Sequence, residues 1–430
     1  MSRILVIGAT GLIGSHIAAR LAARGHAVMG IARDVVPASD RLPTVEWDRV
    51  DVATARAEDW ARHLAGVDAI VNCAGALQSG PVDRLSGTHD QGPQMLFAAC
   101  RAAGVRRVVH FSAIGVDRAT PTEFSRTKLA GDAALMASDL DWVVLRPSVV
   151  LGAPAYGASA LIRGLAALPV LPVMPDTAPL QPVSLNDVVA TAVHFVDPAT
   201  PGHVVVEIAG PEAMSFVELV QRYRRWLGFS PALEVGLPAW LARTVYRLGD
   251  LAARLGWRPP VRSTAQREIA RGAVGDLSDW SRLTGITPQS ITDMLAMHPA
   301  SVQEGWFARL YLLKPVVLVS LVLFWIGSGL ASLGPGYAAG LGLIAPELGG
   351  PAAAFVVLGG GIVDLLIGFG IAFRRTTRPA LLAGIVVSLL YAVAGTILTP
   401  WLWLDPLAPL LKIAPVIALL LVALATLEDR

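Results

Sequence analysis

The sequence predicts two fold classes in one chain of 430 residues. The first is α/β: a Rossmann-type doubly wound parallel sheet with a small substrate lobe. The second is an all-α bundle of four transmembrane helices. Three observations predict them. A short apolar run, Ile4 to Ile7, leads into Gly8, Gly11 and Gly14 and then into a helical pattern. Strand-like and helix-like segments alternate after it, as parallel sheets require. Beyond about residue 305 come four apolar stretches, each near the ~20 residues that cross a bilayer.

The bulk numbers agree with this division. The chain is 54% hydrophobic with a net charge of +2, and its apolar excess lies in the last third. No zinc-finger spacing and no basic stripe interleaved with aromatics occurs, so nucleic acid is not an expected partner. No metal-ligand spacing occurs among the histidines either, and no metal is expected. Two cysteines, Cys73 and Cys100, point to a reducing compartment rather than a disulfide framework. The run Ile4 to Ile7 is too short for a signal-peptide h-region. Three of the 35 basic residues are lysines (Lys128, Lys314, Lys412), so Lys128 is the only lysine before the apolar stretches.

Ile4 to Ile7 reads as a strand buried on both faces. Gly8 permits the tight turn that follows, Gly11 lets backbone approach a pyrophosphate, and Gly14 lets helix and strand pack closely. Thr10, Leu12 and Ile13 share this cofactor-binding turn, and the helix N-terminus offers N–H donors to phosphate. Ile13, Ile17 and Leu21 follow at helical spacing, and Gly25 closes the helix. Ala27 to Ala32 is a second strand. Arg33, at its end, suits a 2′-phosphate and so NADP over NAD; a shift of one residue to Asp34 would reverse that preference. Val45 to Val50 is a third strand, leading to Asp51 and Val52 beside the adenine. Ala69 to Cys73 is a fourth, followed by the small residues Ala74, Gly75 and Ala76, which let a cofactor lie close. Gln91 to Ala103 reads as a helix and Arg107 to Phe111 as a strand ending at Ser112. Leu140 to Leu145 is a further strand, ending in Arg146 and Pro147, with Pro147 counted among the cofactor-binding residues. His16 reads as packing on the first helix.

The stretches "GATGLIG", "NCAGAL", "HFSAIGVD", "FSRTKLAGD" and "LRPSVVLG", in this order, resemble an atypical extended short-chain dehydrogenase/reductase. The resemblance is nearest to the NmrA-like members and the accessory NAD(P)-binding subunit of respiratory complex I, and it covers residues 1 to about 295. It implies that Ser112 holds the substrate oxygen and that Lys128 binds the nicotinamide ribose. It also implies a tyrosine four residues before the lysine, where this chain has Phe124. General acid–base help is usually worth ~10²–10⁴-fold. Three readings follow. Another donor serves (Ser112, Ser125, Tyr156 or water), the domain binds NADPH without turnover, or the substrate, such as a quinone, needs little acid.

Residues 237–255 place Leu237, Leu241, Val245, Leu248, Ala252 and Leu255 on one stripe, with Arg243, Arg247 and Arg254 elsewhere. This is either an interfacial helix on anionic lipid or a helix packed on the substrate lobe. The apolar spans are expected at Lys314/Pro315 to Leu333, Ala352 to Phe373, Ala380 to Leu398 and Leu407 to Leu427. Basic residues at Arg309, Lys314, Arg374, Arg375 and Arg378, with none in the loop 334–351, predict both termini in the cytoplasm. The region resembles the DoxX-like four-helix membrane family. Asp364, within the second span, is a functional candidate by default.

The expected organisation is a nucleotide-binding domain with an interwoven substrate lobe (1–228), a membrane-proximal helical segment (229–305) and a transmembrane domain (306–430). The expected function is a membrane-anchored, NADP-dependent oxidoreductase of a bacterial-type inner membrane. It would reduce a lipophilic carbonyl or quinone at the cytoplasmic face. The alternative is a non-catalytic redox-sensing or assembly module bound to a membrane-protein partner.

Overall fold

A computed structural model describes residues 1–80 and 84–427. The chain forms two compact units: Met1–Asp250 with Pro259–Ala308, and Leu251–Arg258 with Arg309–Arg430.

In the first unit the strands are β1 (Arg3–Ile7), β2 (Ala27–Ala32), β3 (Glu46–Arg49), β4 (Ala69–Asn72), β5 (Arg107–Phe111), β6 (Asp141–Pro147), β7 (Val150–Leu151), β8 (Val170–Val173), β9 (Val183–Ser184), β10 (Val204–Ile208) and β11 (Leu233–Gly236). Seven of them make one parallel sheet in the order β10-β6-β5-β4-β1-β2-β3. The order reverses between β1 and β4, which places the ligand crevice at their carboxyl ends. Register is continuous across the reversal, with Ile4 opposite Ala69 and Ile7 opposite Asn72 on one side and Ile7 opposite Ile31 on the other. Strands β8 and β11 pair separately, as do β7 and β9.

Strand alternation sends Ile4 and Val6 into one core, with Ile17, Leu21, Val188 and Phe195. Leu5 and Ile7 enter the other, with Ile31, Trp60, Leu96 and Phe97. The helices α1 (Leu12–Ala23), α2 (Val36–Arg41), α3 (Ala57–Leu64), α4 (Gly92–Ala103), α5 (Glu123–Met136), α6 (Ala158–Ala166), α7 (Leu185–Phe195) and α8 (Phe216–Trp226) include those that cover these faces. A third core of Leu151, Ile162, Leu171, Leu219, Tyr223 and Met294 builds the small lobe. Four further helices follow: α9 (Ala239–Arg254), α10 (Ser263–Arg271), α11 (Ser278–Thr284) and α12 (Ile291–Met297).

Most strand positions match the apolar runs. The expected helix from Gln91 differs: it is preceded by a π-helical turn, Gly87–Gln91. A side chain at Gly92 would place Cβ 2.1 Å from Val52 O, so only glycine lets this turn close onto the loop after β3. The stripe read on 237–255 also differs. Ala242, Tyr246 and Ala253 are buried instead, and Leu248 is exposed.

In the second unit α13 (Val302–Leu333), α14 (Tyr337–Leu348), α15 (Gly350–Ala372), α16 (Thr377–Leu398) and α17 (Ile413–Ala425) complete the chain. Among the described residues three helices, α13, α15 and α16, are long and apolar enough to cross a membrane. They turn apolar side chains outward: Leu323, Phe355, Leu366 and Ile397 are between 66% and 79% exposed. Water does not favour such a surface and lipid does, so the protein is a membrane protein. The stretch 407–427 is helical only over Ile413–Ala425, and the short α14 fills the loop expected between the first two spans. Glycine brings backbones together: a Cβ at Gly329 would lie 2.6 Å from Gly361 O, and one at Gly368 would lie 2.9 Å from Ile326 N. Asp364 on α15 accepts hydrogen bonds from Ser328 of α13 (2.6 Å) and Tyr391 of α16 (2.8 Å), joining three helices through one carboxylate.

Gly131 of α5 faces the π-helical turn, where a Cβ would stand 2.1 Å from His89 O. Gly131→Ala is expected to lower stability by about 1–3 kcal/mol, the range typical of overpacking. Thermal unfolding of the detergent-solubilised chain measures this; an unchanged midpoint would mean the two elements do not touch.

Candidate active site

The site begins at the turn between β1 and α1. Gly8 has φ +73°, a left-handed conformation that L side chains avoid, and its Cβ would lie 2.9 Å from Ala74 N. A Cβ at Gly14 would lie 2.4 Å from Gly8 O, so helix and turn meet only without one. Gly11 is different: a Cβ there would meet Gly8 O alone, at 3.2 Å, and otherwise open space. That open edge, beside the N–H groups that begin α1, is the cradle a dinucleotide phosphate fits. Thr10 is exposed, and Leu12 and Ile13 are half-buried at the same edge.

Arg33 follows β2 and is half-buried, whereas Asp34 is exposed. Asp51 accepts from the Ala53 N–H at 3.1 Å and so shapes the turn after β3, next to buried Val52. Pro147 ends β6, where its carbonyl accepts from the Ile114 N–H at 3.1 Å.

After β4, three residues make a ledge. The Ala74 N–H donates to Asn72 Oδ1 (3.2 Å) and the Ala76 N–H to His89 Nε2 (3.1 Å), leaving Gly75 between them exposed. Because His89 Nε2 accepts, Nδ1 carries the proton of the neutral ring and donates to Thr127 Oγ1 at 3.1 Å. Burial holds His89 well below the usual histidine pKa, assisted by the neighbouring Lys128 charge. The Phe124 ring meets His89 edge to face, with centroids 5.6 Å apart. The slot where the resemblance expects a phenol thus holds a half-buried apolar ring.

Lys128 lies one turn further along α5, 5% exposed, and Nζ donates to Phe111 O at 2.7 Å. It stands 3.4 Å from where a Cβ of Gly75 would be, directly at the ledge. Burial lowers its pKa to about 8, opposed by the charge of Asp132. Burial pushes the Cys73 thiol up, and the Cys100 thiol up to about 12, so neither is a thiolate nucleophile.

Ser112 follows the last residue of β5, at the strand end where it was expected. It is 6% exposed, and its hydroxyl donates to Asp132 Oδ2 at 2.8 Å. That oxygen also accepts from Arg146 Nη2 at 3.0 Å, while Arg146 Nη1 donates to Asp117 at 2.6 Å. Burial raises the Asp132 pKa, opposed first by Arg146. His110 joins the same cluster through Asn72 Nδ2, 3.1 Å from its Nδ1, and burial takes its pKa down to about 3. Ser112 thus follows the carboxyl end of β5 with its hydroxyl hydrogen engaged by Asp132. Ser125, another candidate donor, is fully buried and donates to Glu268 of α10 at 3.0 Å; Thr122 donates to the same carboxylate. Glu268 pairs with Arg271 at 3.0 Å, and Arg271 borders a cavity of about 150 Å3 with Gly115, Arg118 and Pro179 at the carboxyl end of β5. Tyr156 sits in the turn that opens α6, its N–H bonded to Ser159 Oγ at 2.9 Å.

His89 and Glu268 carry no sequence signal of their own; Asn72 and Asp132 stand in the quoted stretches "NCAGAL" and "FSRTKLAGD", which do not disclose their partners. Each is a single polar residue whose partner is remote along the chain. The signal that existed was glycine: Gly87, Gly92 and Gly131 all flank the His89 turn.

A phosphate cradle, a half-buried basic residue after β2 and a buried lysine beneath the ledge after β4 define a nicotinamide-dinucleotide oxidoreductase. Comparison with known proteins gives the family. Residues 8–165 match the NAD(P)H-binding family and residues 322–421 the DoxX-like family. The chain is 30% identical over 310 residues to a 3-diazoavenalumate denitrifying reductase of a Streptomyces species, covering 64% of this chain and 92% of that protein. It is 25% identical over 311 residues to the ceramide reductase of Caulobacter vibrioides, covering 67% and 97%. In fold it is similar to the UDP-glucuronic acid 4-epimerase of Bacillus cereus, with a TM-score of 0.53 and 18% identity over 72% of this chain and 100% of the other. The chain belongs to the short-chain dehydrogenase/reductase superfamily and carries a DoxX-like membrane domain.

The folded chain releases the Lys128 proton near pH 8, against 10.5 for an ordinary lysine. Between those values the unfolded state binds more protons, so this group makes stability rise with pH across that window. Lys128→Met should flatten the rise, as read from unfolding midpoints at pH 8 and pH 10. A slope identical to that of the unmodified chain would place the amine in water.

Proposed function

We propose that this protein is a membrane-anchored, NADPH-dependent reductase of a lipophilic carbonyl or quinone, acting at the cytoplasmic face of a bacterial inner membrane. The observation that carries this reading is Lys128. It is the single lysine of the nucleotide-binding unit and is held buried beneath Gly75, in a chain that also has three membrane-capable helices. Bound NADPH would supply a hydride to the substrate carbon. Gly8, Thr10, Gly11, Leu12, Ile13 and Gly14 would hold its pyrophosphate. Arg33 would pair with the 2′-phosphate, and Asp51 and Val52 would flank the adenine. Ala74, Gly75, Ala76 and Pro147 would border the nicotinamide half, whose ribose Lys128 would bind.

The reduction consumes one NADPH and one proton for each carbonyl converted to an alcohol. Phe124 has no proton to give, and the Ser112 hydrogen is engaged by Asp132. Water then supplies the proton, and the site suits acceptors that spread the developing negative charge over their own oxygens and ring, as quinones do. A relative named as a ceramide reductase supports a long-chain substrate. Basic residues at Arg374, Arg375 and Arg378 support cytoplasmic termini.

The test is NADPH oxidation by the full chain in lipid nanodiscs, against a panel of long-chain ketones and quinones. Turnover is expected, and NADPH bound without turnover across the panel would sink the reading. Lys128→Ala should raise KM for NADPH at least ~10-fold, since hydrogen bonds to charged groups contribute ~1.5–3 kcal/mol. For the same reason Arg33→Ala should cut the preference for NADPH over NADH ~10–100-fold, read as the ratio of the two kcat/KM values.

A further inference from the structure

Helix α9 presents three different faces. Ala242, Tyr246 and Ala253 are 1%, 6% and 4% exposed and seat it. Gly249 lies on the same side, where a Cβ would stand 1.8 Å from Val261 O. On the other side Trp240, Leu248 and Leu251 are 64%, 59% and 51% exposed. At about 100° per residue these three fall within an arc of about 80°, and Arg243, Arg247 and Arg254, all exposed, fall in a strip of about 40° beside them. The one acidic residue of α9, Asp250, is bound by Arg262 at 3.1 Å, so the exposed arc carries positive charge alone.

What covers this arc is indicated where the helix ends. The next residues belong to the membrane unit. The Trp257 indole donates to Ala372 O at 2.8 Å, and Leu255 O accepts from the Arg374 N–H at 3.0 Å. The Arg374 guanidinium lies 5.6 Å from the Trp257 ring centroid. Ala372 is the last residue of α15, a membrane-capable helix. The chain thus leaves α9 against the basic end of a membrane-capable helix.

We propose that α9 is an in-plane interfacial helix whose partner is an anionic lipid surface. Trp240, Leu248 and Leu251 enter the boundary between headgroups and acyl chains, and Arg243, Arg247 and Arg254 pair with lipid phosphates. This rests on the reading of α13, α15 and α16 as membrane-spanning, and it adds a second, lipid-selective contact to them.

The test uses the full chain with Cys73 and Cys100 replaced by alanine. A single spin label is placed through Trp240→Cys, Leu248→Cys, Thr264→Cys or Leu366→Cys, and the chain is reconstituted in nanodiscs. Collision with oxygen against collision with a water-soluble nickel chelate reports depth. Labels at 240 and 248 should be oxygen-rich and chelate-poor in discs containing phosphatidylglycerol, and shallower in purely zwitterionic discs. The label at 264, on α10, should read as outside the lipid, and the one at 366, on exposed α15, as deep in it. Labels at 240 and 248 that collide with the chelate like 264, or with neither reagent because protein covers them, would overturn the proposal while 366 stays deep. A chelate-accessible 366 would instead remove the spanning reading, and this proposal with it. NADPH binding by each labelled chain controls for folding.

Discussion

A lysine ammonium buried at the carboxyl edge of a parallel sheet is costly, and the nucleotide-binding unit is arranged around that cost. Lys128 has one backbone carbonyl, Phe111 O, as its direct acceptor and Asp132 one helical turn away as its nearest stabilising charge. Asp132 is itself fully buried and needs Arg146 and Ser112 to remain an anion. The chain continues from His110 to Asn72, whose amide oxygen fixes Ala74 at the start of the ledge. Removing any one member leaves another buried polar group without its partner, which is the expensive event in a low-dielectric interior. The same arrangement accounts for the Ser112 hydrogen bond to Asp132. The serine serves the carboxylate that serves the lysine.

Much of this unit was legible in the sequence because its signals are local. A strand buried on both faces, a glycine turn and a helix at consecutive positions constrain one another, and Ala27–Ala32 and Arg107–Phe111 have the extents their apolar runs indicate. The His89 turn was not legible. A π-helical turn has no period distinct from the α-helix that follows, and its fit depends on atoms contributed by Val52 and Gly131, which are far away in sequence. Helix α9 was legible as a helix, but not the face it buries. Its leucines and its small residues repeat at the same helical spacing, so periodicity identifies the stripes without saying which is buried; Ala242, Tyr246 and Ala253 are, and Gly249 closes on Val261. The stretch 407–427 shows a third limit. Hydropathy counts residues, but in a helix starting at 407 Pro415 would fall in the interior and remove a backbone donor, whereas in α17, which starts at Ile413, it lies in the first turn.

The membrane unit inverts the rule that governs the first. Its apolar side chains face outward, so association of α13, α15 and α16 draws on close approach and on polar bonds rather than on escape from water. Glycine at 329, 361 and 368 provides the approach, and Asp364 provides the bonds by accepting from helices on both sides. Both oxygens of that carboxylate are engaged by hydroxyl groups, which link α15 to α13 and to α16.

The phenylalanine at 124 follows from the same accounting of buried groups. A phenol in that slot would face His89, whose Nε2 already accepts from Ala76 and whose Nδ1 already donates to Thr127. Both ring nitrogens of His89 are thus engaged, and the imidazole has no position left for a further hydrogen bond. An aromatic ring set edge-on to the imidazole fills the space with no such requirement. Histidine 89 and phenylalanine 124 are therefore mutually consistent, and the histidine, by holding Ala76, keeps the ledge over Lys128. Where the resemblance implies a side-chain acid, this chain has an apolar ring packed on the residue that fixes the ledge.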